Sequence, residues 1–399
     1  MAKMKKADQE MLKRLNRQIV LKNIRKHGEI SRAELTQYTK LSPTTVSLIT
    51  SELIDKKIVM ELGIGESSGG RRPVMLGINP NARFVISIIL KPKEVIYALL
   101  NLDCIVVKEW NIKQNIVGEE NVKNILARCL HDIFDEYGEF EGKIVGIGIS
   151  IPGIVNNQDG CILYSAPLEL KEFEMIEFIK RQKNNMDCFV FKDTDALILG
   201  EHKFGIGRHY NNFAYIMVED GVGMSYINSG NLFQPSNIGG FELGHMTIDL
   251  NGPVCRCGNK GCLGTIISEN YIVNRYKEKL KEKGEEGIDD ELRLDDVIVR
   301  SNGGDIVAKE ILKEQARILG IGIANVLNMI NPEMIAIGGP LSKCEWNYLD
   351  IVLDTGRNTA LKFYNDGINI KFTTKGILSA LAGMANYIFE KKIFSPIEF

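Results

Sequence analysis

Between about residues 8 and 26 the apolar side chains Leu12, Leu15, Ile19, Val20 and Ile24 recur at helical spacing, with Lys13, Arg14, Arg17 and Lys22 between them. That period predicts an amphipathic first helix, ended by Gly28. Ser31 and Glu34 follow at the spacing of a capping box, in which a hydroxyl accepts from the amide three residues on and a carboxylate reaches back. A second, short helix is therefore expected to about Thr39. Ser42 and Pro43 supply an N-cap and a first-turn proline for a third helix to about Asp55. The period then changes. Residues 57–62 read as a strand, 63–70 as a flexible tip and 71–76 as a returning strand, which together form a β-hairpin.

From Phe84 the chain turns to apolar strands, FVISIIL, EVIYALLNLD and CIVVKEW, then a helix over about residues 119–137 and a further strand, IVGIGIS. A similar opening recurs at FAYIMVE, GVGMSYI and NLFQ. This repetition predicts an approximate duplication: two α/β lobes with a ligand cleft between them. Residues 311–330 carry Leu319, Ile323, Val326, Leu327 and Ile330, with Gly320, Gly322 and Ala324 interleaved, and read as a core helix.

Composition narrows the class. A chain of 399 residues exceeds what one core supports, so a small domain plus a larger two-lobed one is expected. Its 44% apolar and 25% charged residues are globular values, and no apolar run reaches the roughly 20 residues that span a bilayer. The start MAKMKKADQE lacks the layout of a secretory signal, so a cytoplasmic protein is expected, with its eight cysteines as thiols or metal ligands. Charge is unevenly divided. Residues 1–80 hold 15 Lys and Arg against 8 Asp and Glu, whereas the remainder holds 34 against 43.

Two short helices joined by a three- to four-residue turn match a helix-turn-helix, whose second helix enters the major groove of double-stranded DNA. Its leading residues here are Thr44, Thr45, Ser47 and Leu48, able to bond or pack against several bases but without an Arg or Asn for a bidentate contact. Arg71 and Arg72, beside paired glycines at the hairpin tip, suit a narrow minor groove. Further along, GHMTIDLNGPVCRCGNKGC places His245, Cys255, Cys257 and Cys262 within 18 residues, with Gly258 and Gly261 able to wrap the backbone around an ion. One imidazole and three thiols make a closed, soft tetrahedral set, which predicts a structural Zn2+.

The segment SRAELTQYTKLSPTTVSLITSELIDKKIV followed by SSGGRRPVML resembles the N-terminal domain of ROK-family repressors (repressors, open reading frames and kinases), the xylose repressors especially, and the similarity continues through most of the chain. The resemblance implies a winged helix-turn-helix over residues 1–80 and an actin-like, ribonuclease-H-like sugar kinase fold beyond it. The first lobe would span 81–192 plus about 375–399, and the second, with the zinc site, 193–374. In the family's kinases an Asp after an Asn is the general base, and a Glu, a His and a second Glu grip the sugar. Here that pattern implies sugar contacts from Asp193, Glu242 and His245, with Lys192 in place of the Asn and Gly264 in place of the final Glu. The kinases' first phosphate loop, an Asp and a glycine turn, falls on residues 88–93, which have neither and include Pro92. The expectation is thus a repressor without catalytic residues, released from an operator by a sugar, xylose foremost, and acting as a homodimer or dimer of dimers. An ATP-dependent sugar kinase and a protein-docking regulator are the alternatives.

Overall fold

The computed structural model describes residues 2–66, 72–156, 159–183, 186–235, 238–285, 289, 291–364, 369–373 and 375–395. The chain divides into two compact units, one of residues 1–152, 157–190 and 384–399, the other of 153–156 and 191–383.

The first unit begins with α1 (Ala2–His27), β1 (Ile30–Ser31), α2 (Arg32–Thr39), α3 (Pro43–Asp55), β2 (Val59–Ile64) and β3 (Val74–Ile78). Helix α1 starts earlier than the apolar period suggests, because its polar leading residues are mostly good helix formers that leave no apolar signature. The capping box at Ser31 forms in full: its hydroxyl accepts from the Glu34 amide, and the Glu34 carboxylate accepts from the Ser31 amide at 2.8 Å. Lys40 ends α2 in the left-handed region, at φ 60°, donating its amide to the Thr36 carbonyl, and Ser42 caps α3 through the Thr45 amide at 3.1 Å. Val20, Ile24, Leu35, Val46, Ile49, Leu53 and Leu76 are buried together as the apolar residues of these helices and of the hairpin. The small sheet runs β1-β3-β2, with both hairpin strands a few residues later in the chain than the sequence reading placed them.

There follow β4 (Phe84–Lys91), β5 (Glu94–Asn101), β6 (Val106–Ile112), α4 (Glu119–Tyr137), β7 (Ile144–Ile151), β8 (Ile154–Asn156), β9 (Cys161–Ser165), β10 (Leu170–Glu174), α5 (Met175–Gln182) and β11 (Cys188–Lys192). The second unit carries α6 (Asp193–Phe204), β12 (Phe213–Val218), β13 (Val222–Asn228), β14 (Asn231–Leu232), α7 (Leu263–Ile266), α8 (Glu269–Glu282), α9 (Leu294–Asn302), α10 (Ile306–Ile330), β15 (Met334–Gly338), α11 (Tyr348–Thr359) and β16 (Asn369–Phe372). Helix α12 (Gly376–Phe389) continues through Glu390–Phe394 and closes the described chain.

The duplication expected from the strand pattern is present. One sheet is ordered β11-β7-β4-β5-β6 and the other β14-β13-β12-β15-β16. In each, the first three strands form an antiparallel meander and a later strand joins the first in parallel, as β7 joins β4 and β15 joins β12. Helix α10 is a core helix, with Leu319, Ile323, Val326 and Leu327 buried, and it begins at Ile306 because the Asp305 side chain caps it.

Helices α6 and α12 cross at their backbones. A Cβ added at Gly200 would fall onto the Ser379 carbonyl, and one at Gly383 would lie 2.6 Å from the Ala196 carbonyl oxygen.

Replacing Ser31→Ala removes one side of the capping box and should lower the stability of the helix-turn-helix by about 1 kcal/mol. Urea unfolding followed by a probe placed in α1–α3 checks this, with an unchanged midpoint counting against the cap as a determinant of α2.

Candidate functional site

Three surroundings carry chemistry. The first is the outer face of α3. Thr44, Ser47 and Leu48 are exposed, Leu48 by 64%, whereas Val46, Ile49, Thr50 and Leu53 hold the helix to its neighbours. Thr45 stands apart from the other three, half-buried, with its hydroxyl 2.8 Å from that of Ser42 at the helix cap. Arg32 braces the arrangement from α2, donating to Thr50 and pairing at 3.5 Å with Glu61 on β2. Arg72 is exposed at the end of the hairpin, and Arg71 lies outside the described residues.

The second is a turn-rich loop. His245, Cys255, Cys257 and Cys262 bring one ligand atom each to within 4.8 Å of one another. The Cys255 sulfur lies 3.7 Å from Nδ1 of His245, and the Cys257 and Cys262 sulfurs are also 3.7 Å apart. Four donors placed about 2.3 Å from a tetrahedral ion are separated by roughly 3.8 Å, so the set has the size a metal requires. The loop is shaped by its glycines. Gly258 and Gly261 both have positive φ, and a Cβ at Gly261 would collide with the Asp249 carbonyl, while the Gly261 carbonyl accepts from the Ile248 amide.

The third surrounds the start of α6. Asp193 is its first residue and, half-buried, accepts from the Thr194 amide at 2.7 Å. Lys192, immediately before it, donates to Glu242 at 2.7 Å, its side chain only 16% exposed. This ion pair joins residues 50 positions apart, a separation at which no sequence pattern signals it. Thr194 in turn faces β13, accepting from Ser225 at 2.8 Å. Glu219, in the turn between β12 and β13, is close enough for its charge to act on Asp193, again a neighbour that spacing alone did not reveal. Burial pushes the Asp193 carboxyl up to about 6, with the Lys192 ammonium opposing that rise. At Gly264 the backbone lies against another backbone: a Cβ there would stand 3.1 Å from the Gly244 carbonyl oxygen and 3.4 Å from the Val222 nitrogen.

The turns that resemble nucleotide loops differ from each other. Strands β4 and β5 are in register to their ends, Lys91 opposite Glu94, so Pro92 and Lys93 form a two-residue hairpin turn. Between β12 and β13 the turn holds Glu219, Asp220 and Gly221. Gly339, at φ 116°, sits so close to the Val218 carbonyl that no side chain fits.

Comparison with known proteins follows the same division. The profile of the ROK family matches residues 98–388. The xylose repressor of Bacillus spizizenii is 32% identical over 333 residues, covering 83% of each chain. A crystal structure of a ROK family transcriptional regulator, described as a homologue of the E. coli MLC protein, superposes with a TM-score of 0.84 at 27% identity, covering 96% of this chain and 98% of that one. The ROK hexokinase of Thermus thermophilus shares the fold of the later part, with a TM-score of 0.64 at 21% identity over 77% of this chain and 99% of its own. Together they give the later part of the described chain the two-lobed, actin-like sugar kinase fold, preceded by the helical N-terminal part.

The pH response of Asp193 follows from the sign of its shift. Its folded-state value lies above the unfolded one, so the carboxylate costs stability above pH about 6, and the cost fades as pH falls below that toward the ordinary carboxylate range near 4. Asp193→Asn is expected to melt at a higher temperature than the wild type at pH 7.5, with the gap narrowing at pH 5. Calorimetry at the two pH values checks it; a gap that is absent or grows on acidification would contradict the assignment.

Proposed function

The chain belongs to the ROK family, and from that premise we propose that it is a sequence-specific DNA-binding repressor of sugar-utilisation genes whose grip on its operator is set by a sugar held at Asp193 and Glu242. The observation that carries this reading is the presence in one chain of an exposed reading helix and a sugar kinase fold whose first phosphate turn is a two-residue hairpin. Backbone amides must approach nucleotide phosphates for kinase chemistry, and Pro92 removes one of them.

On DNA, Thr44, Thr45, Ser47 and Leu48 face the major groove. Thr44 and Ser47 offer hydroxyls that suit several bases, and exposed Leu48 offers an apolar surface for a thymine methyl. Thr45 contributes less than its neighbours, since its hydroxyl is tied to the helix cap. Arg71 and Arg72 enter the minor groove. A homodimer, or a dimer of dimers, reads paired half-sites, because one short helix supplies too little specificity. The protein does this in the cytoplasm.

At the sugar site, Asp193 accepts from a hydroxyl, and Glu242 does so while already paired with Lys192. Nδ1 of His245 faces the Cys255 sulfur, which leaves Nε2 for a further hydroxyl. His245, Cys255, Cys257 and Cys262 hold a structural Zn2+, whose four positions are all filled by protein and which supplies rigidity rather than chemistry. Xylose is the first ligand to try, given the xylose repressor's 32% identity. Gly264 and the Lys192 pair alter the family's sugar contacts enough that other pentoses and hexoses belong in the same trial.

One observation favours a second reading, an ATP-dependent sugar kinase: the Asp193 carboxyl, raised to about 6, is suited to act as a base on a sugar hydroxyl. Sugar phosphorylation by the purified protein, abolished in Asp193→Asn, would establish it in place of the repressor.

Three outcomes are expected. A duplex from the region upstream of the protein's own gene should be bound, and one sugar of the panel should weaken binding by about 5- to 150-fold, as measured by fluorescence anisotropy. If DNA is bound but no sugar matters, a protein-docking regulator replaces the sugar sensor. Arg72→Ala should lower the slope of log affinity against log salt by about one without changing site preference. Elemental analysis should find one zinc per chain, lost in Cys257→Ser together with the order of the loop; a full complement of zinc in that variant would remove the assignment.

A further inference from the structure

Helix α12 takes part in two close contacts, one in each compact unit. Near its start it lies against α6 with no side chain between the backbones: Gly383 meets the Gly200 nitrogen and the Ala196 carbonyl, and Ser379 meets Gly200. The Ser379 hydroxyl is buried there and has no hydrogen-bond partner among the described residues. A buried hydroxyl left unmatched costs free energy, so no hydrogen bond of Ser379 locks this crossing in place. Helix α6 begins at Asp193, so any group that draws on Asp193 pulls on the helix that bears Gly200.

Past its midpoint the same helix is held by the N-terminal part of the chain. Arg25, in the last turn of α1, donates to Glu390 at 2.6 Å and to Asn386 at 2.8 Å, and its guanidinium stands 4.0 Å from the centre of the Phe394 ring. Phe394 is fully buried. One planar fork therefore reads two side chains of the α12 segment and stacks on a third, a geometry that a small displacement of those partners breaks. Elsewhere α12 packs against β7 through the Ile388 and Met384 side chains, which occupy the space over two glycines: a Cβ added at Gly146 or Gly148 would stand 3.1 Å from them. Packed helices without side-chain cushioning pass on a shift instead of absorbing it.

We propose that α12 and the turn after it form the coupling rod of this protein: a sugar at Asp193 moves α6, the glycine crossing passes the movement to α12, and the Arg25 fork delivers it to α1 and the DNA-reading helices. Arg25 is thus a positioning residue for the response, with no part in holding DNA or sugar. The inference rests on the proposed sugar site for its trigger, and the test separates the two.

The full-length protein is titrated onto the upstream duplex with and without D-xylose and the other sugars of the panel, and sugar binding is measured separately by calorimetry. In Arg25→Ala the sugar and, without sugar, the duplex should bind within about two-fold of the wild type, while a sugar effect of about ten-fold or more collapses to below about two-fold. Release of DNA at the wild-type ratio overturns the rod. Should Arg25→Ala fail to fold, Glu390→Gln, which alters one half-buried acceptor of the fork, is read in the same way. If no sugar acts on the wild type, the sensing reading fails and a ligand-free cycle decides the rod. Gly383→Ala, which forces α12 off α6, should change duplex affinity, and that change should vanish when Arg25→Ala is also present. Effects that simply multiply, as independent distant sites do, overturn it.

Discussion

The second unit depends on places where two backbones touch because no side chain stands between them. Gly244 lies on the Val222 carbonyl, Gly264 on Gly244, Gly261 on the Asp249 carbonyl, and Gly200 on Ser379. These contacts set the depth of the turn carrying Glu242 and His245, the wrap of the cysteine loop and the distance of α6 from α12. A Cβ at Gly244, Gly261 or Gly200 would collide with the facing backbone, and one at Gly264 would press on the Gly244 carbonyl. The polar cluster and the candidate metal ligands share this constraint, since Leu243 and Gly244 alone separate Glu242 from His245. It also means that the space beside Gly264 is bounded closely by the Gly244 and Val222 backbones.

Local signals made the N-terminal domain readable. Ser31 with Glu34, and Ser42 with Pro43, act over three residues or fewer, so their hydrogen bonds follow from the sequence itself. The three-residue turn works without a glycine because Lys40 accepts the left-handed conformation. The convergence of His245 and the three cysteines was legible for the same reason, all four lying within one short stretch. The Lys192–Glu242 pair was not legible, because it joins the end of β11 to a turn that only the tertiary fold brings near. Asp193 was found by resemblance, and neither its burial nor the influence of Glu219 has a counterpart in spacing. The paired sheets stood between these cases. Strand texture announced a repeat, but the shared order, a meander joined by a parallel strand, requires pairings across long stretches of chain.

The Lys192–Glu242 pair changes what a ligand meets. An asparagine offers both a donor and an acceptor to a sugar hydroxyl, whereas an ammonium offers only donors and neutralises the neighbouring carboxylate. Glu242 then keeps one oxygen committed to Lys192, and Asp193 is the freer acceptor whenever it is ionised. A ligand able to displace the ammonium must return its hydrogen bonds, since a part-buried charge left without a partner is costly. At the proposed sugar site, selectivity would accordingly turn on which hydroxyl arrangement can serve Lys192 and Glu242 together.

Charge completes the argument for how the parts cooperate. The first 80 residues carry 15 basic against 8 acidic side chains, and the rest 34 against 43. Several of the basic groups near the reading helix are already paired, Lys13, Arg17 and Lys56 all with Glu52, so the excess is not spread evenly over the domain. Lys and Arg that remain available draw phosphates toward the helix-turn-helix, while the acidic remainder repels the same polyanion. Encounter with DNA is thereby biased toward one end of the chain before any base is read. Because this attraction is indifferent to sequence and weakens with salt, it cannot by itself make the complex responsive to a small molecule. Response has to come from the placement of α3 and the hairpin, which is where the proposed hold on α1 through Arg25 and its bonds to Glu390 and Asn386 would act.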